Sequence, residues 1–312
     1  MVTFCALEGF WRMKGYVPSV NDDAAFWAMT RLDLDDVIDE EPILLVGTSR
    51  TQTDCNIDVL EQEFGKKPIS LAVVCSTVVP VMENLARETS FNGTVICEYA
   101  PEMIFFDDSE QDTNTDRVLN ALDRMKKEIF GSLEKRFIVF FQGRFAFLNN
   151  QLTFEDQVRA VAKRELPEAA NTYRPDRARF LDDRSRTPYP DFEIPEELPD
   201  SVEVTPFGRD ALDRLILSAR TIIENGGRVI FVTHPSRGEH YFLELTEYPR
   251  NSFWFPLLEG SGALGIHKFE NPILVKELPL VDYVHLNFIQ AEQYSHDLGR
   301  LIMESLDVNS EL

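Results

Sequence analysis

Two stretches of the chain hold residue types that could do chemistry together. The first is Pro42-Ile43-Leu44-Leu45-Val46-Gly47-Thr48-Ser49-Arg50, where a branched apolar run stops at a glycine, a hydroxyl pair and an arginine. The second is Val281-Asp282-Tyr283-Val284-His285-Leu286-Asn287, with a carboxylate and an imidazole three residues apart. A serine hydroxyl is a poor nucleophile until a base takes its proton. An imidazole oriented through Nδ1 by a carboxylate leaves Nε2 free for that task. Ser49 as nucleophile, His285 as base and Asp282 as orienting acid therefore form a candidate set. Each stretch also has a plainer reading: Thr48 or Ser49 as a helix N-cap, and Asp282 as the cap of the last helix with His285 packed nearby. A metal pair of Asp282 and His285 is a weaker option, because no third ligand sits at a supporting spacing, and a metal site that adds His234 is the third and weaker reading.

For Ser49 and His285 to meet, the fold must carry distant segments to one edge. Ile43 to Gly47 fits a strand buried on both faces of a parallel sheet. Ligands of open α/β sheets sit beyond the carboxyl ends of such strands. Asn56 to Phe64 then has helix spacing, Pro68 to Val74 reads as a strand, Pro80 to Glu88 as a helix, and Thr94 to Tyr99 as a third strand. That alternation implies parallel pairing through right-handed crossovers. It resumes with a helix over Gly208 to Asn225, stopped by Gly226-Gly227, and a fourth strand at Arg228 to Thr233. Phe253 to Gly260 reads as helical, Gly265 to Phe269 as a short fifth strand and Phe288 to Leu306 as the closing helix. The expected fold is a three-layer α/β/α sandwich around a parallel sheet of about five strands. His234-Pro235-Ser236-Arg237 follows the fourth strand onto the same rim. There Arg237 suits an anionic substrate group, or the four residues form a solvated loop.

Residues 1–41 read as an entry segment, in which Asp22-Asp23 can cap a helix to about Arg31. The acid run Asp33 to Glu41 reads as a solvated loop, since it lacks the glycine-punctuated pattern of a calcium loop. The α/β domain takes 42–106 and 201–312. Between them, 107–200 breaks the rhythm and reads as an insertion or lid. Its expected parts are one helix over Asp116 to Lys135, an aromatic stretch from Phe137 to Phe147, a helix over Phe154 to Glu165, and an exposed, proline-rich run from Tyr173 to Pro199.

The 312 residues carry 53 acidic and 31 basic side chains, a net charge of −22. Phosphate binding needs a basic stripe and none is visible, so nucleic acid is not an expected partner, and anionic membrane surfaces are disfavoured too. Cys5, Cys55, Cys75 and Cys97 lack CxxC spacing, and Cys75 and Cys97 lie in apolar runs that suit small buried residues. No apolar run approaches the roughly 18–20 residues of a membrane span. Met1 to Leu7 is apolar but too short, and too poor in basic residues, for a signal peptide. It reads as a soluble start, or as the end of an anchor helix on an extracytoplasmic protein. Nothing in the sequence calls for a cofactor.

With Gly47-Thr48-Ser49-Arg50 after the first strand and Asp282-Tyr283-Val284-His285-Leu286 before the last helix, the chain resembles the SGNH (GDSL-type) hydrolase and acyltransferase superfamily. It looks in particular like a proteobacterial SGNH-hydrolase-like group, through Glu8, Trp11 and Arg12, through Trp27 to Arg31, and through Phe91 to Val95. The likeness covers about 8–101 and 209–306. It implies Ser49 as nucleophile, His285 as base, Asp282 as orienting acid, and the Ser49 N–H as one oxyanion donor. The chain departs from the superfamily pattern in two blocks. Cys75 stands where the second block has a glycine, and Glu98-Tyr99-Ala100-Pro101-Glu102 replaces the block that supplies an asparagine. Arg50 or Ser76 are then candidate substitute donors. The implied activity is hydrolysis or transfer of an acyl ester, with O-acetylated carbohydrate as the first substrate class. The alternative is a degenerate domain that binds a glycan or a protein.

Overall fold

Strands built around short apolar runs form the middle of a parallel sheet. A computed structural model describes residues 2–88, 90–105, 113–128, 130–153, 155, 157–159, 171–181, 195–275 and 280–310. The strands are β1 (Ile43–Val46), β2 (Ile69–Ser70), β3 (Thr94–Glu98), β4 (Asn171–Tyr173), β5 (Arg179–Leu181), β6 (Arg228–Val232) and β7 (Leu264–Ile266). Five of them pair in the order β2-β1-β3-β6-β7, all parallel, while β4 and β5 form a separate antiparallel hairpin. This is the doubly wound α/β arrangement, in which the sheet changes direction of growth beside β1.

The helices are α1 (Val2–Met13), α2 (Ala24–Asp35), α3 (Ser49–Asp54), α4 (Ile57–Phe64), α5 (Val79–Glu88), α6 (Pro101–Ile104), α7 (Thr113–Met125) and α8 (Gly131–Gln142). They continue with α9 (Pro206–Glu224), α10 (Gly238–Thr246), α11 (Trp254–Ser261) and α12 (Phe288–Ser310). Alternate strand residues feed two cores. Leu44, Val46, Val95, Cys97, Val229 and Phe231 face a layer built from α2, α5, α7, α9 and α11. Leu45, Ile96, Ile230 and Val232 face α4 and α12. Burial on both faces explains why these strands read as unbroken apolar runs.

The expected sandwich is therefore present, with local differences. The strand expected over Pro68 to Val74 is regular only at Ile69–Ser70. Its outer edge is covered by side chains instead of a further strand. Trp27 Nε1 donates to Leu71 O at 2.8 Å, and the Arg177 guanidinium donates to Ser70 O and Ala72 O at 2.9 Å each. The helix expected over Asp116 to Lys135 is two helices, α7 and α8.

Segment 107–200 is also less separate than its sequence suggests. Val118, Ala121, Leu122, Met125 and Val139 all belong to the main core against α2. The run expected to be an exposed connection, from Tyr173, begins inside the β4–β5 hairpin of residues 171–181. Ala178 and Arg177 at its turn are buried, the latter held by Asp22 through bonds of 2.6 and 3.1 Å. Residues 195–200 are exposed, as expected. Most of the helix expected over Phe154 to Glu165, and residues 182–194, lie outside the described residues.

Candidate active site

The turn after β1 is tight because Gly47 permits it. A Cβ there would lie 1.9 Å from Thr51 Oγ1 and 2.7 Å from Glu98 Oε2, so any larger residue would push α3 off the strand end. Thr48 is the N-cap of α3, its hydroxyl accepting from the Arg50 N–H at 3.2 Å. Capping by Thr48 leaves the Ser49 hydroxyl free of that duty. As the first residue of α3, Ser49 also keeps its backbone N–H outside the helical ladder.

Ser49 Oγ lies 2.9 Å from His285 Nε2, and His285 Nδ1 lies 2.7 Å from Asp282 Oδ2. An ionised carboxylate can only accept, so Nδ1 carries the proton and Nε2 accepts from the serine. Asp282 is ionised at neutral pH. Burial pushes its carboxyl up, but the His285 hydrogen bond and charge, with two backbone N–H groups, outweigh this and hold it down at about 2. Its Oδ1 accepts from the N–H groups of Val284 and His285 at 2.9 and 2.8 Å, which fixes the loop under the imidazole. Asn287, not Asp282, caps α12, accepting from the Gln290 N–H at 3.0 Å.

The loop and α3 are tied together by a residue not singled out from sequence. Buried Asp54, at the end of α3, accepts from the Leu286 N–H at 2.8 Å. On the other side, the Arg237 N–H donates to Tyr283 O at 2.8 Å, so the loop after β6 braces the same segment. Arg237 is exposed at the start of α10.

Beneath Ser49 lies a charged floor. Glu98, fully buried at the end of β3, accepts from Thr48 N–H at 2.6 Å, Thr51 Oγ1 at 2.8 Å, Thr48 Oγ1 at 3.1 Å and Arg50 Nε at 2.8 Å. Burial pushes its carboxyl up, but Arg50, His234 and these hydrogen bonds outweigh it and hold it below its ordinary value. Arg50 also donates to Glu102 at 2.6 Å and lies 3.9 Å from Glu244. Its donors point into this floor, so the structure does not bring Arg50 to Ser49 as an oxyanion donor. Ser76 is likewise committed, donating from its buried hydroxyl to Val73 O at 2.8 Å.

His234 belongs to the same floor. The single Thr51 hydroxyl proton goes to Glu98, so His234 Nε2–H donates to Thr51 Oγ1 at 3.1 Å and Nδ1 accepts from the Tyr294 hydroxyl at 2.7 Å. Burial, against the pull of Glu98, lowers its pKa to about 4. His234 is therefore neutral at pH 7 and its two ring nitrogens are occupied. His285 spends its own on Asp282 and Ser49. Among the described residues no three His, Cys, Asp or Glu side chains are grouped to hold a metal ion.

Neutral His234 has a consequence for stability. Below pH 6.5 the unfolded chain's imidazole takes a proton, while the folded one does so only near pH 4. The contribution is complete above pH 6.5 and lost as pH falls through that window, about 3 kcal/mol in all. His234→Gln can keep both hydrogen bonds and is expected to flatten this part of the pH dependence, measured by urea unfolding.

Cys75 is exposed, not a core residue as its apolar surroundings suggest, and takes φ +49, the left-handed region that favours glycine. The preceding loop is laid along β1, with Leu71 N–H donating to Leu45 O and Val73 N–H to Gly47 O, both at 2.8 Å. Asn114 of α7 holds the far side, donating from Nδ2 to Val74 O at 3.0 Å and Cys75 O at 3.4 Å. The loop thus has a backbone suited to glycine without the residue. Cys75→Gly is expected to raise stability by about 0.5–1 kcal/mol, read as a higher urea midpoint.

No family model matches this chain, and neither does any curated protein or solved structure. Among the described residues no helix is long and apolar enough to cross a membrane.

Proposed function

We propose that the chain is a serine-dependent acyl-ester hydrolase or O-acyltransferase in which Ser49, His285 and Asp282 carry the reaction. The observation that supports this most is the hydrogen-bonded line Asp282–His285–Ser49, closed between residues 236 positions apart in sequence. Local capping accounts for neither that closure nor its direction. In the proposed reaction Ser49 Oγ attacks the acyl carbonyl carbon while its proton passes to His285 Nε2. The imidazolium is stabilised by ionised Asp282, and the carbonyl oxygen takes the negative charge against the Ser49 N–H. Collapse breaks the ester C–O bond, and Nε2 returns the proton to the departing alcohol. Water, or a sugar hydroxyl in the transferase form, then repeats the cycle on the acyl-enzyme.

Acetylated carbohydrate is the substrate class suggested by the resemblance to SGNH proteins, an analogy of fold and motif. A non-catalytic glycan- or protein-binding domain is the second reading. It draws on Glu98-Tyr99-Ala100, which puts no asparagine after β3, and on Arg50 and Ser76 being bonded elsewhere. Aryl acetate hydrolysis by wild type and Ser49→Ala separates the two. The expected result is turnover that vanishes in the variant; wild-type turnover no faster than that of Ser49→Ala contradicts the enzyme and favours the binding domain.

A further inference from the structure

Helix α8 turns an apolar face outward. Phe130, Leu133, Phe137, Phe140 and Phe141 recur at helix spacing and are 72, 48, 57, 48 and 45 % exposed. The ridge runs on into α1 through ring contacts. Phe140 meets Phe141 at 5.3 Å between centroids, Phe141 meets Phe145 at 6.3 Å, and Phe145 meets Phe4 at 5.0 Å. Single exposed apolar residues need no explanation, but a continuous aromatic ridge along a twelve-residue helix does.

The charge around the ridge runs against that of the whole protein. Residues 124–144 hold six basic and two acidic side chains in a chain of net charge −22. Lys126, Lys135 and Arg136 pair with Glu88, Asp23 and Asp33. Among the described residues no carboxylate is paired with Arg124, Lys127, Arg144 or Lys14. Lys127 precedes α8 and Arg144 follows it, with its guanidinium 3.8 Å above the Phe140 ring. Lys14 closes the α1 side, over Phe10 at 5.8 Å.

We propose that the α8–α1 ridge is a docking surface for an anionic lipid bilayer, with the phenylalanines entering the interface and Lys14, Lys127 and Arg144 meeting the headgroups. An exposed row of Phe and Leu flanked by long basic side chains is the pattern of an interfacial helix, whose cations reach the headgroups while their stems lie on apolar surface. The overall acidity speaks against such binding when averaged over the chain, but headgroup attraction falls off within a Debye length and is decided locally.

The test is sedimentation of the full chain with phosphatidylcholine vesicles, with and without phosphatidylglycerol. Wild type is expected to bind the anionic vesicles, and about tenfold less well the neutral ones. Phe137→Ser/Phe140→Ser is expected to abolish binding with an unchanged melting temperature, since both side chains are exposed. Lys127→Glu/Arg144→Glu removes the preference for anionic lipid, and Ser49→Ala binds as wild type does, which keeps this inference separate from the proposed acyl chemistry. The proposal is overturned by wild type remaining in the supernatant, by equal binding to both vesicles, or by binding that survives Phe137→Ser/Phe140→Ser. A dimer in light scattering that this double variant dissociates, without vesicle binding, assigns the ridge to self-association and overturns it as well.

Discussion

Replacing His285 by alanine is expected to lower aryl acetate turnover by about three to four orders of magnitude, with much less change in KM. Among the described residues, Nε2 is the acceptor placed on the Ser49 hydroxyl, at 2.9 Å, so its loss leaves that hydroxyl without a group to take its proton. The imidazole acts on the Ser49 proton and not on the ester itself, which is why the loss is expected to fall on kcat. Asp282→Asn is expected to cost a comparable amount for a different reason. An amide can present a donor to Nδ1, which then becomes the acceptor and leaves Nε2 carrying the proton, unable to take one from serine. Because the Asp282 carboxyl is held at about 2, it stays ionised throughout the working pH range, and its own titration sets no limb of the pH–rate profile. A His285→Ala loss below about tenfold would remove His285 from proton transfer, since positioned general bases contribute at least 10²-fold.

The second large effect is on stability. Glu98→Ala is expected to cost about 3–5 kcal/mol, lowering the melting temperature by roughly 10 °C. The carboxylate accepts four hydrogen bonds from the serine turn, and its removal strands the Thr48 N–H, the Thr51 hydroxyl and one edge of the Arg50 guanidinium in the interior. Buried donors without partners carry their full desolvation cost. Glu98→Gln keeps the shape and is expected to fall between wild type and Glu98→Ala. Turnover measured well below the melting temperature is expected to drop in both variants, because the backbone that aims Ser49 is bonded directly to Glu98. Thermal unfolding of Glu98→Ala within about 1 kcal/mol of wild type would mean that the floor does not hold the turn.

The fold was legible where a strand is buried on both faces. Ile43 to Val46, Val95 to Cys97 and Val229 to Val232 are apolar at each position because each side meets a layer of helices, and that pattern needs no knowledge of partners. β2 was harder to read, since its outer carbonyls are satisfied by Trp27 and Arg177, side chains whose arrival no spacing announces. The core contacts of segment 107–200 are hard to read for a related reason. Its charges dominate the composition, while the few residues that enter the core, Val118, Leu122 and Val139, are spread over two helices. Ser49 and His285 could be paired because both follow from position at the sheet rim.

The floor beneath them could not be read in the same way. Thr51, His234 and Tyr294 come from separate elements, and Glu98, a charge closing a mostly apolar strand, is the one of these with a local signal. The apolar neighbours of Cys75 suggest a core residue. The backbone turns at that point into a conformation that exposes it.

The most direct measurement is fluorophosphonate labelling of the intact protein, followed by mass spectrometry of its peptides. The reagent requires a serine oxygen already activated for attack, so it reads nucleophilicity without knowledge of the natural ester. The expected result is one adduct, on Ser49, that is lost in His285→Ala while the variant remains folded. An unlabelled wild type, an adduct on another serine, or labelling of Ser49 that persists in His285→Ala would contradict the assignment of Ser49 as a nucleophile activated by His285.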